Sequence, residues 1–243
     1  MTRSLWFVRH AQSEYNKKKL FTGWHDPSLT EHGVTMAQEL KKEVDSETFS
    51  HVYSSPLQRA YQTAKILVDE KRILVDDRIK ERSYGDWSAK NKDQVKDIEG
   101  EDNYRAARRG WHTSPPNGES LKDVSERVKS FLDELPKEGN ILIVSHGNTI
   151  RAISVLYGIN TTESVSDYEI KVGTIVKIYS NSKKSDLIFV NGLGTETTIA
   201  NLFIRKKVIR KIVGDDVWER VYNKTLIDES FYDFQENNHG LSI

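Results

Sequence analysis

Three short apolar runs that stop abruptly at polar residues constrain the fold of this chain more than any other feature. The runs at residues 5–8, 51–53 and 141–144 are followed by Arg9-His10, Ser54-Ser55 and Ser145-His146. Unbroken apolar runs of this length are typical of strands that are covered on both faces. In a parallel sheet, the polar residues that follow such strands lie at the carboxyl edge, where ligands bind.

Helical patterns separate the three predicted strands. They cover residues 30–44, 56–70 and 120–135, and a further pattern at 148–157 follows the third strand directly. This alternation predicts an α/β fold in which a mostly parallel central sheet is flanked by helices on both faces. The 243 residues are expected to form a single domain, 1–243. Within it, the polar segment at about 86–118 is interpreted as a helical excursion over the sheet rather than a second core.

Composition excludes several classes of function. The chain has no cysteine, which removes disulfides, thiolate nucleophiles and Cys-based metal sites. The chain has 36 basic residues (Lys plus Arg) and 36 acidic residues (Asp plus Glu), so its formal net charge is zero. No overall positive charge attracts nucleic acid or an anionic membrane, and we expect neither as a partner. Four apolar residues before Arg9 are too few for a signal peptide, and no apolar run approaches a membrane span. We therefore expect a cytoplasmic protein.

Two histidines and two arginines are expected to meet at the carboxyl edge of the sheet. His10 and His146 follow predicted strands, and Arg59 lies early in the helix after the second strand. One histidine at a strand end is more often a satisfied polar residue, but this arrangement with Arg9 favours an anion site. The guanidinium fork matches phosphate oxygens, and neighbouring arginines keep a histidine neutral with a lone pair for attack. The set predicts that His10 accepts a phosphoryl group.

Departure of an alkoxide from phosphorus also requires a proton donor. Glu81 is the candidate, because a nearby phosphate dianion favours a protonated carboxyl. Its context, Lys80-Glu81-Arg82, fits a solvated charged turn equally well. The remaining histidines lack ligand-like spacing, so we expect no metal; they are His25, His32, His51, His112 and His239.

The run at residues 9–16 contains the motif Arg9-His10-x-x-Ser13-x-x-Asn16, and further motifs follow it in order. They lie at residues 21–26, 29–33, 81–85, 91–92, 108–109, 118–123 and 146–151. The first motif resembles the signature of the histidine phosphatase superfamily, and the series resembles its cofactor-dependent phosphoglycerate mutases. The resemblance covers roughly residues 3–180 and fades in a divergent C-terminal tail from about residue 181.

The resemblance implies a phosphoglycerate mutase-like fold and a role for each matching position. His10 would be the phosphorylated nucleophile, Glu81 the acid and base, and Arg9, Arg59, His146 and Asn16 the groups that bind the transferring phosphoryl group. Ser13, Thr22, Gly23, Tyr84, Lys92, Arg108, Arg109 and Asn148 match positions that hold the substrate, and Gly147 offers a further hydrogen-bond donor beside them. The implied cofactor is 2,3-bisphosphoglycerate as priming phosphoryl donor, without a metal. The implied partners are small-molecule phosphoglycerates and, in a homodimer or homotetramer, further copies of the chain.

Departures from the mutase pattern leave other functions open. Ala11-Gln12 stand where mutases have a glycine and an acid, and residues 84–87 are similar to phosphatase branches. A phosphomonoester hydrolase with the same nucleophile is therefore the first alternative, and a non-catalytic phospho-ligand-binding module is the second. In the tail, the basic segment 203–212 is interpreted as a solvated amphipathic helix packed on the domain.

Overall fold

The strands form one six-stranded sheet. The computed structural model describes residues 3–181 and 184–192, and it describes side chains up to residue 178. In chain order the strands are β1 (Arg3–Arg9), β2 (His51–Ser54), β3 (Ile73–Val75), β4 (Gly139–Ser145), β5 (Thr174–Asn181) and β6 (Lys184–Gly192). The strand order is β3-β2-β4-β1-β5-β6. Pairing is parallel from β3 to β1, whereas β5 and β6 are antiparallel. The predicted mostly parallel sheet is confirmed.

Seven α-helices lie in the same described ranges. They are α1 (Glu14–Lys17), α2 (Glu31–Val44), α3 (Gln58–Leu67), α4 (Lys92–Glu99), α5 (Glu101–Arg109), α6 (Leu121–Glu134) and α7 (Gly147–Leu156). Thr30 and Ser120 accept hydrogen bonds as N-caps of α2 and α6, because their hydroxyls satisfy N–H groups that have no partner inside a helix. The predicted helices at 30–44 and 120–135 therefore began one residue early, at the caps. In α7, the first turn follows His146 directly.

Alternating side chains of β1 and β4 divide between two hydrophobic cores. Leu5, Phe7, Ile141 and Ile143 pack with residues of α6 and α7, whereas Trp6, Val8, Leu142 and Val144 pack with residues of α2 and α3. Successive side chains of a strand point to opposite faces, so each central strand supplies both layers. The prediction of helices on both faces is confirmed.

The segment at 86–118 contains α4 and α5, but it also has a small core that the sequence analysis did not expect. Phe21 packs against Trp87, with ring centroids 5.3 Å apart, and Trp87 stacks on Tyr104 at 6.0 Å. Val95 and Ala107 complete this aromatic cluster. Aromatic side chains spaced along a polar segment were the available signal. The cluster anchors α5, whose last turn carries two arginines of the site.

Three strands, β3, β5 and β6, are not among those predicted from the sequence. β3 is a three-residue edge strand with half-exposed Leu74 and Val75, so its apolar content is too small to stand out. β5 and β6 lie at or beyond the limit of the resemblance. The predictions for most of the tail, including segment 203–212, fall outside the described residues, and the single domain over 1–243 stays a prediction. Among the helices that the structure describes, none is long and apolar enough to cross a bilayer.

Candidate active site

A cavity of about 130 Å³ lies where the carboxyl ends of β1 and β4 meet the loops that follow them. Its walls are formed by Arg9, His10, Asn16, Leu20, Thr22, Gly23, Arg59, Glu81, Tyr84, Lys92, Arg108, Arg109, Gly147, Asn148, Arg151 and Glu169. Thirteen of the fifteen predicted site residues are in this set; Ser13 and His146 are not. Six basic side chains face two carboxylates, so the cavity suits a small ligand with several negative charges.

His10 is buried at the end of β1, and its hydrogen bonds indicate one tautomer. Its Nδ1 lies 2.7 Å from the carbonyl oxygen of Ala11, which can only accept, so Nδ1 carries the proton. Arg59 Nε donates to His10 Nε2 at 3.2 Å, so Nε2 carries the lone pair. The same guanidinium donates to the carbonyl oxygens of Gly23 and His25, which fix its plane. Nε2 is therefore the ring nitrogen whose lone pair is available in the cavity.

The surroundings of His10 keep the ring neutral. Burial lowers its pKa well below the usual range, and the positive charges of Arg59 and Arg9 lower it further. A neutral imidazole has a lone pair available for attack on phosphorus, whereas an imidazolium does not. The electrostatic environment thus favours the reactive form at neutral pH.

His146 lies against His10, outside the cavity lining. The two ring centroids are 5.1 Å apart in an edge-on arrangement. His146 Nε2 is 2.8 Å from Ser55 Oγ, while its Nδ1 and the Nε of Arg9 are buried without a hydrogen-bond partner in the described residues. Unsatisfied buried polar atoms are rare in proteins. Their position beside His10 indicates that a bound anion completes this part of the site.

Ser13, which the resemblance predicts to hold the substrate, lies outside the cavity lining. It is fully buried at the start of α1, where its Oγ lies 3.0 Å from Asn16 Oδ1 and accepts the Asn16 N–H. Asn16 in turn accepts the backbone N–H of Ser13 through Oδ1, which completes a capping box. Ser13 therefore orients Asn16, which does line the cavity.

Glu81 is buried in the cavity wall, and Arg82 behind it is fully buried, so the solvated-turn interpretation of residues 80–82 is wrong. Glu81 Oε1 accepts the backbone N–H of Arg82 at 2.9 Å and that of Asn148 at 3.2 Å. The second of these donors belongs to the first turn of α7, where helix N–H groups favour a negative partner. Since Oε1 is committed to the backbone, Oε2 is the oxygen left for a ligand.

Tyr84, Asn148 and Arg151 form a hydrogen-bonded chain along another wall. Asn148 Nδ2 donates to the Tyr84 hydroxyl at 3.0 Å, and Arg151 donates to Asn148 Oδ1 at 3.1 Å. Burial opposes ionisation of the Tyr84 phenol, but Arg82, the bond from Asn148 and Arg108 outweigh burial, so its pKa is lowered. These bonds hold the Tyr84 hydroxyl in place at the cavity wall.

Lys92 and Arg108 supply positive charge to the cavity, and neither forms a close ion pair with a carboxylate in the described part of the chain. Lys92 Nζ lies 5.9 Å from the ring centre of Phe21, and the Arg108 guanidinium lies 5.4 Å from that of Tyr104. The aromatic cluster thus supports both cations. Burial, together with Arg108, lowers the pKa of Lys92. These charges are distinct from the arginines that contact His10.

Arg82, Arg151 and Glu169 belong to the site region without having been predicted as site residues. Arg82 donates to the carbonyl oxygens of Ala107 and Arg108 at 2.7 and 2.5 Å, which fixes the end of α5. Arg151 closes the motif at residues 146–151, three residues after Asn148 and thus on the same helix face, so helical spacing could have identified it. Glu169 follows no strand and belongs to no motif, and the sequence carries no signal for it.

Protonation of the two buried histidines is expected to make stability fall below neutral pH. Burial lowers the pKa of both in the folded chain, whereas an unfolded histidine titrates near pH 6.5. As pH falls, these histidines bind protons in the unfolded state while they are still neutral in the folded state. The free energy of unfolding should therefore drop by up to about 1.4 kcal/mol per pH unit for each histidine.

Urea unfolding between pH 7.5 and pH 5 measures this slope. His146→Gln should reduce it, while His32→Gln, at an exposed position of α2, should leave it unchanged. Equal slopes for all three proteins would contradict neutral burial of His146.

A neutral histidine among arginines, at the strand ends of a mostly parallel sheet, defines a class of enzyme that transfers phosphoryl groups through histidine. A family model described as histidine phosphatase superfamily (branch 1) matches residues 5–191. The chain belongs to this superfamily. Within the described residues, no group of three or more His, Cys, Asp or Glu side chains is placed to hold a metal ion.

Individual relatives come from both mutases and phosphatases. A 2,3-bisphosphoglycerate-dependent phosphoglycerate mutase of Bartonella henselae is 39% identical over 196 residues, which cover 75% of this chain and 94% of the relative. Its counterpart in Parvibaculum lavamentivorans is 36% identical over 200 residues, covering 77% and 95%. The crystal structure of the alpha-ribazole phosphatase from Shigella flexneri superimposes with a TM-score of 0.65 at 28% identity, covering 79% of this chain and 99% of that chain.

Proposed function

We propose that this protein is a phosphoglycerate mutase that interconverts 3-phosphoglycerate and 2-phosphoglycerate through a phosphohistidine at His10. The observation that carries the proposal is the presence of Lys92 and Arg108 in the same cavity as His10. Arg9 and Arg59 suffice for one phosphoryl group, whereas a ligand with a second anionic end needs cations farther along the cavity. The mutases of Bartonella and Parvibaculum, at 39% and 36% identity, support the same function.

In this proposal the phosphoryl group is transferred twice. His10 Nε2 attacks phosphorus as the ester oxygen departs, while Arg9, Arg59 and the Nδ1–H of His146 stabilise the charge on the equatorial oxygens. The bond from Nδ1 of His10 to the Ala11 carbonyl keeps the ring proton in place during attack. Glu81 protonates the departing alkoxide and removes the proton from the attacking hydroxyl in the reverse step.

The exchange of positions needs a bisphosphate that turns within the cavity. Phosphorylated His10 donates to the free hydroxyl of a monophosphoglycerate, and the other phosphoryl group of the resulting bisphosphate then returns to His10. The basic side chains of the cavity outnumber its two carboxylates, and the unpaired donors on Arg9 and His146 add partners for such a polyanion. When bound, 2,3-bisphosphoglycerate supplies the phosphoryl group that first loads His10. In a cell, this activity belongs to glycolysis and gluconeogenesis in the cytoplasm.

A phosphomonoester hydrolase is the second candidate. Similarity to the Shigella phosphatase at 28% identity favours it, together with the phosphatase-like residues 84–87. The same His10 would be phosphorylated, but water would then take the phosphoryl group. The two functions differ only in the acceptor, so exclusion of water from the cavity decides between them.

Phosphorus NMR of the full chain with 3-phosphoglycerate, with and without a trace of 2,3-bisphosphoglycerate, tests the proposal. A mutase should produce 2-phosphoglycerate, and the trace should raise the rate because it restores phosphohistidine that has been lost to water. Release of inorganic phosphate without isomer exchange would identify the hydrolase instead. Absence of both products would reject the phosphoglycerates as substrates.

A further inference from the structure

Every second carbonyl group in the segment 166–170 accepts a hydrogen bond from an arginine of the cavity. Arg109 donates to the Ser166 oxygen at 3.4 Å, Arg151 to the Tyr168 oxygen at 2.7 Å, and Arg9 to the Ile170 oxygen. The main chain therefore fixes three cations from one side. Glu169 lies within this segment, and its side chain belongs to the cavity wall.

The Glu169 carboxylate already pairs with two of these cations. Its Oε2 accepts from Arg109 and lies 3.8 Å from the NH2 group of Arg151. Burial opposes ionisation of this carboxyl, but Arg109 and Arg151 outweigh burial and hold its pKa below the usual range. Glu169 is thus a negative charge inside a cavity that otherwise collects anions.

The pairing divides the cations of the cavity into two groups. Arg109 and Arg151 share the carboxylate of Glu169, whereas Lys92 and Arg108 have no carboxylate partner among the described residues. A ligand with a phosphate at His10 and a single carboxylate can use Lys92 and Arg108 and leave Glu169 in place. A ligand with a second phosphate brings two further negative charges, which need more cations and are repelled by Glu169.

We propose that Glu169 is a specificity-determining residue whose carboxylate occupies the position on Arg109 and Arg151 that a second phosphate needs. It selects monophosphates over bisphosphates at this site. The inference rests on the proposed function in its choice of ligands. In a mutase cycle, Glu169 weakens retention of the bisphosphate and raises the concentration of 2,3-bisphosphoglycerate needed for priming.

Titration calorimetry of the full chain with two probes tests this role. The probes are 2,3-bisphosphoglycerate, which carries a second phosphate, and inorganic phosphate, which needs only the groups around His10. Glu169→Gln should tighten binding of bisphosphoglycerate about tenfold or more, since one repulsive charge is lost. Binding of inorganic phosphate should change less than twofold. Glu169→Asp, which keeps the charge, should bind bisphosphoglycerate within about threefold of the original chain.

Glu163→Gln is the matched control, because Glu163 is exposed in the preceding loop and absent from the cavity wall. It should bind both probes as the original chain does. Thermal unfolding checks that each variant folds. If Glu169→Gln does not fold, Glu169→Ser is used in its place, because it removes the same charge.

Weaker binding of bisphosphoglycerate to Glu169→Gln would overturn the inference, because Glu169 would then only position the arginines. Equal changes for the two probes, or no change, would overturn it as well. A chain that binds inorganic phosphate but no bisphosphoglycerate counts against the proposed mutase. In that case, if Glu169→Gln gains binding of bisphosphoglycerate, the role of Glu169 is still supported. If Glu169→Gln also fails to bind bisphosphoglycerate, that role is contradicted.

Discussion

His10→Ala is expected to lower phosphoryl transfer by at least about 10⁴-fold, because it removes the nucleophile on which both halves of the cycle depend. The acid-labile phosphoprotein should disappear with it. Incubation with 2,3-bisphosphoglycerate, followed by intact-mass measurement at alkaline pH, detects one added phosphoryl group on the original chain and none on the variant.

His32→Ala is the matched control for this experiment, since it removes an exposed histidine on α2. It should retain both the phosphoryl group and the activity. Phosphorylation of His10→Ala at another residue would reject the assignment of His10 Nε2 as the nucleophile. A chain that binds phosphoglycerates but is never phosphorylated would instead be the non-catalytic binding module.

Glu81→Gln is expected to lower mutase activity by about 10²- to 10⁴-fold, which is the range typical of a general acid and base. The amide keeps the shape of the side chain and its acceptance of the N–H groups of Arg82 and Asn148, but it cannot give a proton to a departing alkoxide. Initial rates of 2-phosphoglycerate formation under priming conditions measure the loss.

An aryl phosphate separates proton transfer from binding. Nitrophenolate leaves phosphorus without protonation, so Glu81→Gln should phosphorylate His10 from nitrophenyl phosphate at close to the original rate. If both substrates slow equally, Glu81 acts by shaping the site rather than by moving a proton. Glu126→Gln, at an exposed position of α6, should leave both rates unchanged.

The strand ends were predictable from the sequence because their chemistry and their geometry coincide. The apolar run before Arg9-His10 must be buried, and the polar pair after it must reach the edge of the sheet. The same reasoning applies to Ser145-His146, and parallel pairing of β1 with β4 brings the two ends together. Motif resemblance then added Lys92 and Arg108, which local patterns alone could not have placed beside His10.

The rest could not be predicted because it depends on contacts between distant segments. Glu169 enters the cavity only because β5 pairs with β1 and the loop before β5 passes over α5 and α7 residues. Ser13 matched a substrate position, yet the cap of α1 uses its hydroxyl. The aromatic cluster joins Phe21 to residues more than sixty positions away, a separation that no periodic pattern reports.

The arginines held by segment 166–170 have a consequence for the energy of the ligand-free chain. Arg9 is half-buried and Arg151 is buried. Removal from solvent lowers the pKa of both guanidinium groups, to about 10 for Arg151. Folding therefore has to assemble like charges before any anion arrives, and main-chain carbonyl groups, Glu81 and Glu169 offset part of their repulsion. The repulsion among these cations raises the free energy of the ligand-free fold, and a bound phosphate ester relieves it. The thermal stability of the whole chain should consequently follow the supply of its ligand.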